Sequence, residues 1–425
     1  MPKSGEFDIV VYGASGFTGR LVAEYLAQRY EVGGELSWAM AGRDAAKLAS
    51  VRDEIGAPAN TPLLIADVDD ATSLKAMVDR AKAVITTVGP YQLYGEPLVA
   101  ACAAAGTDYL DLCGEPAWMR KMIDAYDAKA KASGARILFS CGFDSLPFEL
   151  GVFFVQETAK AQLGAPAPRV MGRVRKMQGG FSGGTAASLK ATMAAAGKDP
   201  GVLDLLRDPF ALTPGFNGPD QPHGLTPAYD EALGTWAAPF VMAAINTRNV
   251  HRSNALLGHA YGTDFIYDEM MSTGPGEQGE AIAKAIASAP SPLGGDGGPK
   301  PGEGPSKAER EAGFYDLLFI AIGKDGKQAR ASVGGDLDPA KARALYAVQG
   351  PISDTLFQAK VTRAAWRSKP CFYQVSTLDR TINPDLERFM ARRMKATTIE
   401  LASSHLGIIS HAPEIAALIQ RAAHA

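Results

Sequence analysis

The sequence has no apolar run long enough to cross a lipid bilayer, and its first residues, MPKSGEFD, carry no apolar signal segment. Neither sign of charge predominates: 43 Lys and Arg residues against 46 Asp and Glu residues leave a net charge of −3. This balance gives no reason to expect a nucleic-acid partner. We therefore expect a cytoplasmic protein whose contact with a membrane, where it has any, is peripheral.

Cysteine is rare as well. The four cysteines are Cys102, Cys113, Cys141 and Cys371, and their spacing matches neither a CxxC pair nor a zinc site. Each falls in or near an apolar run, which favours reduced, buried thiols over disulfides. The sequence predicts no metal site.

The chain does contain a glycine-rich turn at its start. The apolar run at 9–12 is typical of a buried parallel strand, and Gly13, Gly16 and Gly19 separate it from an amphipathic helix. In such a turn the first glycine permits the tight bend, the second lets a diphosphate approach the main chain, and the third lets the helix pack on the strand. Amide groups at the helix start then face the phosphates. The predicted dinucleotide-binding residues here are Gly13, Ser15, Gly16, Phe17, Thr18 and Gly19.

The ends of the next two strands carry charged residues. Arg43, after the second strand, can pair with the 2′-phosphate of NADP, whereas a carboxylate such as the adjacent Asp44 would select NAD. Arg43 favours NADP(H), and the G-x-x-G-x-x-G spacing resembles that of short-chain and extended reductases, which implies the same cofactor. Asp67, after the third strand, is interpreted either as an acceptor for the adenine amino group or as the cap of the following helix.

The exit of the fourth strand, in TTVGPYQLYG, is predicted to lie beside the nicotinamide. Val88, Gly89 and Pro90 fall at the carboxyl end of the sheet, where ligands bind in folds of this class. Tyr91 follows, and its phenol is either a proton donor or a wall of the pocket. Tyr94 is a candidate for substrate contact.

The order of strand and helix patterns predicts three parts. Six βα repeats indicate a Rossmann-like, doubly wound parallel sheet over 1–147, and an α+β substrate domain follows over 148–340. A Pro- and Gly-rich stretch at 288–306 is interpreted as a linker, and another at 197–235 as a long surface loop. The last part, 341–425, is predicted as a βαβα tail.

Two further features of the second domain suggest substrate contacts. Gly183, Gly184 and Thr185 lie in a glycine-rich turn before a helix, and successive amides there can hold a thioester oxygen or a pantetheine phosphate. A close-packed connection from strand to helix explains the same glycines equally well. A polar cluster inside an apolar stretch is interpreted as a substrate wall; its residues are Thr247, Arg248, Asn249, Arg252, Ser253 and Asn254.

Four motifs carry a family resemblance. GASGFTG, the AGR at 41–43, TTVGPYQLYGEPLVAACAAAGTDYLDLCGE and CGFDSLPFELG resemble the saccharopine dehydrogenase-like oxidoreductases, in particular their trans-acting enoyl reductase branch. The resemblance implies NADP(H) and reduction of a carbon–carbon double bond in a carrier-bound or lipid intermediate of polyketide type. It does not identify the proton donor, for which the candidates are Tyr91 and Asp144, the latter if burial keeps its carboxyl protonated. Asp144 is alternatively a cap of the next helix.

The tail resembles the last portion of an α/β-hydrolase instead. Asp379 stands where that fold has the acid of its catalytic triad, and His405 stands where it has the histidine base. GHAYG at 258–262 has Ala260 where a nucleophile elbow needs a serine, and hydrolysis is the least favoured function. The leading prediction is an NADPH-dependent reductase of a small-molecule or carrier-bound lipid substrate. The alternative is a non-catalytic NADP-binding regulator or lipid-associated scaffold.

Overall fold

The computed structural model describes residues 5–30, 34–289, 299–300, 302–336, 370–378, 383–403 and 411–423. The chain divides into two units, Met1–Ala342 and Arg343–Ala425. The first unit contains two six-stranded sheets and the second contains a two-stranded sheet.

The first sheet is built by alternating strands and helices. Its elements are β1 (Phe7–Tyr12), α1 (Phe17–Arg29), β2 (Trp38–Gly42), α2 (Ala45–Glu54), β3 (Leu63–Ile65), α3 (Ala71–Asp79), β4 (Ala81–Thr86), α4 (Tyr91–Tyr94), α5 (Glu96–Ala105), β5 (Asp108–Leu110), α6 (Pro116–Ser133) and β6 (Ile137–Leu138). The strand order is β3-β2-β1-β4-β5-β6, with every pair parallel. The predicted Rossmann-like sheet is confirmed.

The burial of β1 explains why this strand reads as an unbroken apolar run. Val10 and Val11 have no solvent exposure and belong to separate core clusters, because neighbouring side chains of a strand point to opposite faces of the sheet. Helices cover both faces, so both need apolar side chains. The strand order reverses between β1 and β4, which opens a crevice at the carboxyl ends of these two strands.

The second sheet is mixed. Its unit continues with α7 (Leu146–Leu163), β7 (Arg169–Gln178), α8 (Gly183–Ala196), α9 (Pro200–Arg207), β8 (Ala228–Asp230), β9 (Thr235–Pro239), α10 (Ala243–Leu256), β10 (Ile266–Gly274), α11 (Gly276–Ser288), α12 (Lys307–Glu311), β11 (Phe314–Ile322) and β12 (Gln328–Asp336). The strand order is β12-β11-β7-β10-β9-β8, and only β7 and β10 pair in parallel. Phe148 and Val152 of α7 pack with Phe319 of β11 in its core. The α+β prediction for this region is confirmed.

The prediction of a long surface loop at 197–235 is right only in part: residues 214–227 are irregular and none of them is buried, whereas the start of the stretch is folded. It contains α9, and residues 210–212 are buried. The Arg252 guanidinium donates to the carbonyl oxygen of Leu212 at 2.9 Å, and the Arg248 guanidinium donates to that of Leu206. These bonds from α10 hold the stretch against the body of the unit, although its composition resembles that of a loop.

The described residues of the second unit have a βαβα order. Its described elements are β13 (Phe372–Ser376), α13 (Pro384–Arg393), β14 (Thr397–Leu401) and α14 (Ala412–Ala423), with β13 and β14 parallel. The buried Glu387 of α13 accepts a hydrogen bond from the Ser376 amide at 2.8 Å, which joins helix and sheet. Asp379 and His405 lie outside the described residues.

The described residues lack two features, a membrane-spanning helix and a cluster of metal-ligating side chains. In the ranges given above, no helix has the length and apolarity that crossing a membrane requires. The same ranges contain no group of three or more His, Cys, Asp or Glu side chains arranged to hold a metal ion.

Candidate functional site

A cleft of about 830 Å³ opens at the carboxyl ends of the first sheet and is closed on its other side by α8, α9 and the start of α10. Of the residues singled out from the sequence, the following line it: Gly13, Ser15, Gly16, Phe17, Thr18, Arg43, Asp67, Val88, Gly89, Tyr91, Tyr94, Asp144, Gly184 and Thr185. Gly19, Pro90 and Gly183 are outside this lining. The cleft is as large as ordinary cofactor and ligand sites.

The glycine turn forms one end of the cleft. Gly13 has φ +87°, and a Cβ there would lie 2.7 Å from Cγ2 of Val88. A Cβ at Gly19 would lie 2.1 Å from the Gly13 carbonyl oxygen, so α1 reaches β1 this closely only with glycine at that position. Gly16 is the N-cap of α1 and has no side-chain cap. The amides of Phe17 and Thr18 follow in the first helical turn, where no intrahelical acceptor exists. This bare main chain fits the diphosphate of a dinucleotide.

The end of β2 presents two cations to the cleft. The carboxylate of Asp44 caps α2 by accepting from the Lys47 amide at 2.9 Å, so it is engaged with the helix. The side chains of Arg43 and Lys47 both line the cleft and are exposed. This pair suits a phosphate better than a ribose hydroxyl. Sequence reasoning missed Lys47, although its position four residues after Arg43 was a usable signal.

The contacts after β3 decide whether Asp67 is the N-terminal cap of α3. The cap of α3 is Asp70, which accepts from the Thr72 amide at 3.0 Å. Asp67 is half-buried, lines the cleft and accepts from the Asp69 amide at 3.1 Å. The interpretation of Asp67 as the helix cap is therefore wrong. Contact with adenine stays a prediction. Burial, with a smaller contribution from the Asp67 charge, raises the pKa of the Tyr12 phenol to about 12.

The hydroxyl of Tyr91 is bonded on both sides to main chain. It donates to the Thr86 carbonyl oxygen at 3.2 Å and accepts from the Leu112 amide at 3.1 Å. Burial raises the pKa of this phenol well above its ordinary value. The buried Glu115 accepts from the amides of Tyr91 and Gln92 at 2.9 and 2.8 Å, and so fixes the start of α4. These contacts suit a wall of the pocket, and Glu115, which sequence reasoning did not select, holds that wall.

Asp144 also lines the cleft, and burial raises the pKa of its carboxyl group. The N-cap of α7 is Ser145, one residue later, so the alternative of Asp144 as the cap is wrong. The amide group of Asn246 donates both to the Asp144 carbonyl oxygen and to Glu269, each at 3.0 Å. The main chain at Asp144 is thus held by a buried side chain, while its carboxyl group remains beside the cleft.

The residues of the glycine-rich turn before α8 differ in role: one is a close-packed position, and the other two face the cleft, where a substrate could lie. The Gly183 amide donates to the Glu303 carbonyl oxygen at 3.0 Å, and a Cβ there would lie 1.9 Å from the Lys300 carbonyl oxygen. Gly183 is therefore a close-packed position. Gly184 and Thr185 line the cleft, where contact with a substrate oxygen stays a prediction.

The polar cluster of α10 does not contribute to the cleft. Arg248 donates to the carbonyl oxygens of Ala244 and Leu206, and Arg252 to that of Leu212. Neither arginine belongs to the lining, so the predicted substrate wall is wrong for both. Their guanidinium groups hold the segment after α9 in place.

The sequence is similar to those of known proteins. Residues 9–138 match the family model of the saccharopine dehydrogenase NADP binding domain. A putative trans-acting enoyl reductase of Mycobacterium tuberculosis is 43% identical over 361 residues, which cover 79% of this chain and 85% of the relative. A trans-acting enoyl reductase of Mycobacterium bovis is 37% identical over 378 residues, covering 83% and 90%.

Solved structures of other dehydrogenases align with this chain at low sequence identity. Apo saccharopine dehydrogenase (L-Glu forming) from Saccharomyces cerevisiae aligns over 78% of this chain and 86% of its own, with 10% identity and a TM-score of 0.35. An amine dehydrogenase from Mycobacterium smegmatis aligns over 80% and 89%, with 15% identity and a TM-score of 0.35.

Proposed function

The chain belongs to the trans-acting enoyl reductases, and we propose that its substrate is a carrier-bound, polyketide-type acyl chain with a carbon–carbon double bond next to its thioester. It is an NADP-dependent oxidoreductase with a saccharopine dehydrogenase-type NADP-binding domain. Peripheral contact with a membrane stays a prediction from the sequence.

One observation carries the proposal: the lining of one cleft combines a dinucleotide cradle, the uncharged wall of α8, α9 and α10, and a carboxyl group whose pKa burial raises. The cradle is the glycine turn together with Arg43 and Lys47. The carboxyl group is that of Asp144. An enzyme that reduces an alkene needs a place for the cofactor, an adjoining place for an uncharged chain, and a proton source.

The residues have separate roles. The main chain at Gly13 and Gly16 binds the diphosphate, and Arg43 with Lys47 binds the 2′-phosphate. NADPH, when bound, supplies a hydride. Val88 and Gly89 form the floor of the cleft where β4 ends.

Asp144 provides the proton. The reduction adds a hydride to the β-carbon of the enoyl thioester and a proton to the α-carbon, which yields the saturated thioester. Because burial raises the pKa of Asp144, its carboxyl group keeps a proton to a higher pH than an exposed aspartate does. The Tyr91 hydroxyl is the other candidate, and its two main-chain bonds favour Asp144 over it.

The test is oxidation of NADPH or NADH with a 2-enoyl thioester, presented first on coenzyme A and then on an acyl carrier protein. We expect NADPH-dependent formation of the saturated thioester, identified by mass spectrometry, with a lower KM for the carrier-bound substrate. Tight binding of NADPH without turnover of any enoyl thioester would instead support the non-catalytic alternative.

A further inference from the structure

The end of the cleft away from the glycine turn is lined by apolar side chains from three helices and one connection. We call this end the apolar pouch; its residues are Leu189 and Met193 of α8, Leu206 of α9, Val241 of the connection from β9, and Ile245 of α10. The helices come from segments that are distant in sequence, so the pouch exists only in the folded chain.

The pouch begins directly at the cofactor half of the cleft. The hydroxyl oxygen of Ser188 on α8 lies 3.8 Å from the position that a Cβ of Gly89 would take. On the opposite wall, Cδ1 of Ile245 lies 3.3 Å from the position of a Cβ at Gly114. The side chain of Gln92 donates to the Thr192 hydroxyl at 3.1 Å and ties α4 to α8. The pouch is thus continuous with the exits of β4 and β5.

The side chains of this wall favour an uncharged occupant. The polar side chains that α8 contributes to the lining are the hydroxyl groups of Thr185, Ser188 and Thr192, at the helical spacing that places them side by side. Among the described residues that α8, α9 and α10 contribute to the lining, none carries a charge. A hydrocarbon chain fits such a wall, since burying it removes apolar surface from water without stranding a charge.

We propose that the apolar pouch holds the hydrocarbon tail of the enoyl substrate, and that Met193 and Val241 set the preference for long chains over short ones. This inference rests on the proposed function. Met193 is 60% exposed and Val241 is 36% exposed, and they belong to different walls. They therefore form the rim of the pouch, where a longer tail gains further apolar contact.

The test compares crotonyl, octenoyl and dodecenoyl thioesters of coenzyme A as substrates. Wild-type kcat/KM is expected to rise by about 3- to 4-fold for each methylene that the pouch buries. Met193→Asp and Val241→Asp should each lower kcat/KM for the dodecenoyl thioester by about tenfold or more. The loss for the crotonyl thioester should be several-fold smaller, so that the ratio of kcat/KM for the dodecenoyl thioester to that for the crotonyl thioester falls in both variants.

The matched control is Leu203→Asp. Leu203 is 37% exposed on α9, three residues before Leu206, and it does not line the cleft. This substitution should leave the dependence on chain length as in the wild type. Because Met193, Val241 and Leu203 are all partly exposed, none of the three variants is expected to impair folding, and a thermal melt checks this.

Binding of saturated dodecanoyl and butanoyl thioesters, measured by calorimetry, separates this inference from the proposed function. Tighter binding of the dodecanoyl thioester that Met193→Asp abolishes supports the pouch even where no enoyl thioester is reduced. Equal binding of both thioesters by the wild type, or equal loss of both in Met193→Asp, would overturn the inference while leaving the reductase activity intact.

Discussion

Gly16→Ala should separate cofactor binding from folding. Gly16 is the N-cap of α1 with φ −84°, which any residue adopts, and the nearest atom to an added Cβ is the Gly13 carbonyl oxygen at 3.3 Å. A small shift accommodates that contact, so we expect a loss of about 0.5–1 kcal/mol in the free energy of unfolding. The new methyl group would nevertheless stand where a diphosphate must approach the main chain.

The expected loss of NADPH affinity is larger. Keeping the diphosphate away from the amides at the start of α1 removes at least one charge-assisted hydrogen bond, worth about 1.5–3 kcal/mol. That loss corresponds to a rise in Kd of about 10- to 150-fold. Titration of intrinsic fluorescence with NADPH measures Kd, and a urea melt of the cofactor-free protein measures stability.

Gly19→Ala is the counterpart. An added Cβ would lie 2.1 Å from the Gly13 carbonyl oxygen, so α1 must move away from β1, at a cost of about 3 kcal/mol or more. We expect a marked loss of stability in Gly19→Ala and little in Gly16→Ala. Wild-type NADPH affinity in Gly16→Ala would refute the placement of the diphosphate at this turn.

Three other outcomes follow from the site and its surroundings. Arg43→Ala and Lys47→Ala should each raise the KM for NADPH by about tenfold or more while leaving that for NADH unchanged, because only the 2′-phosphate contact is lost; equal effects on both cofactors would contradict the assignment. Asp144→Asn should lower kcat by about 10²- to 10⁴-fold and abolish the fall of kcat that the wild type shows as pH rises through the raised pKa of Asp144; an unchanged pH profile would point to another donor. Burial raises the pKa of Glu269 from 4.5 to about 8, so folding favours its protonated form, and the stabilisation present below pH 4.5 is lost as pH rises toward about 8. Glu269→Gln should therefore flatten the decline of unfolding free energy over that window in urea melts at several pH values, whereas a decline as steep as in the wild type would show that other groups cause it.

The first sheet could be predicted because its evidence is local. Each buried parallel strand reads as an apolar run, and each is followed within a few residues by a helix pattern. The glycine turn was equally readable, since the constraints on Gly13 and Gly19 come from Val88 and from the turn itself. In contrast, Asp67 and Asp70 are both reasonable caps for α3, and only the geometry selects Asp70.

The side of the cleft formed by α8, α9 and α10 could not be predicted, because it depends on contacts between residues that are distant in sequence. The stretch at 197–235 resembles a loop, yet the arginines of α10 bind its carbonyl groups and hold α9 at the cleft. The same arginines looked like substrate ligands because a polar cluster in an apolar stretch has the same pattern whether it binds a ligand or distant main chain. Residues 302–304, in the stretch interpreted as a linker, are a similar case: a Cβ at Gly304 would lie 2.5 Å from the Phe17 ring, so these residues pack beside the glycine turn at the start of α1.

The cofactor half of the cleft and the apolar pouch differ in how readily side-chain substitutions change them. The cofactor half is built largely from main chain, at Gly13, Gly16 and the first turn of α1, so most side-chain substitutions leave it unchanged. The pouch is built from side chains on separate helices, and those at its rim are partly exposed. Exposed side chains can change with little cost in stability. Preference for one acyl chain over another can therefore shift through residues such as Met193 while NADPH binding stays constant.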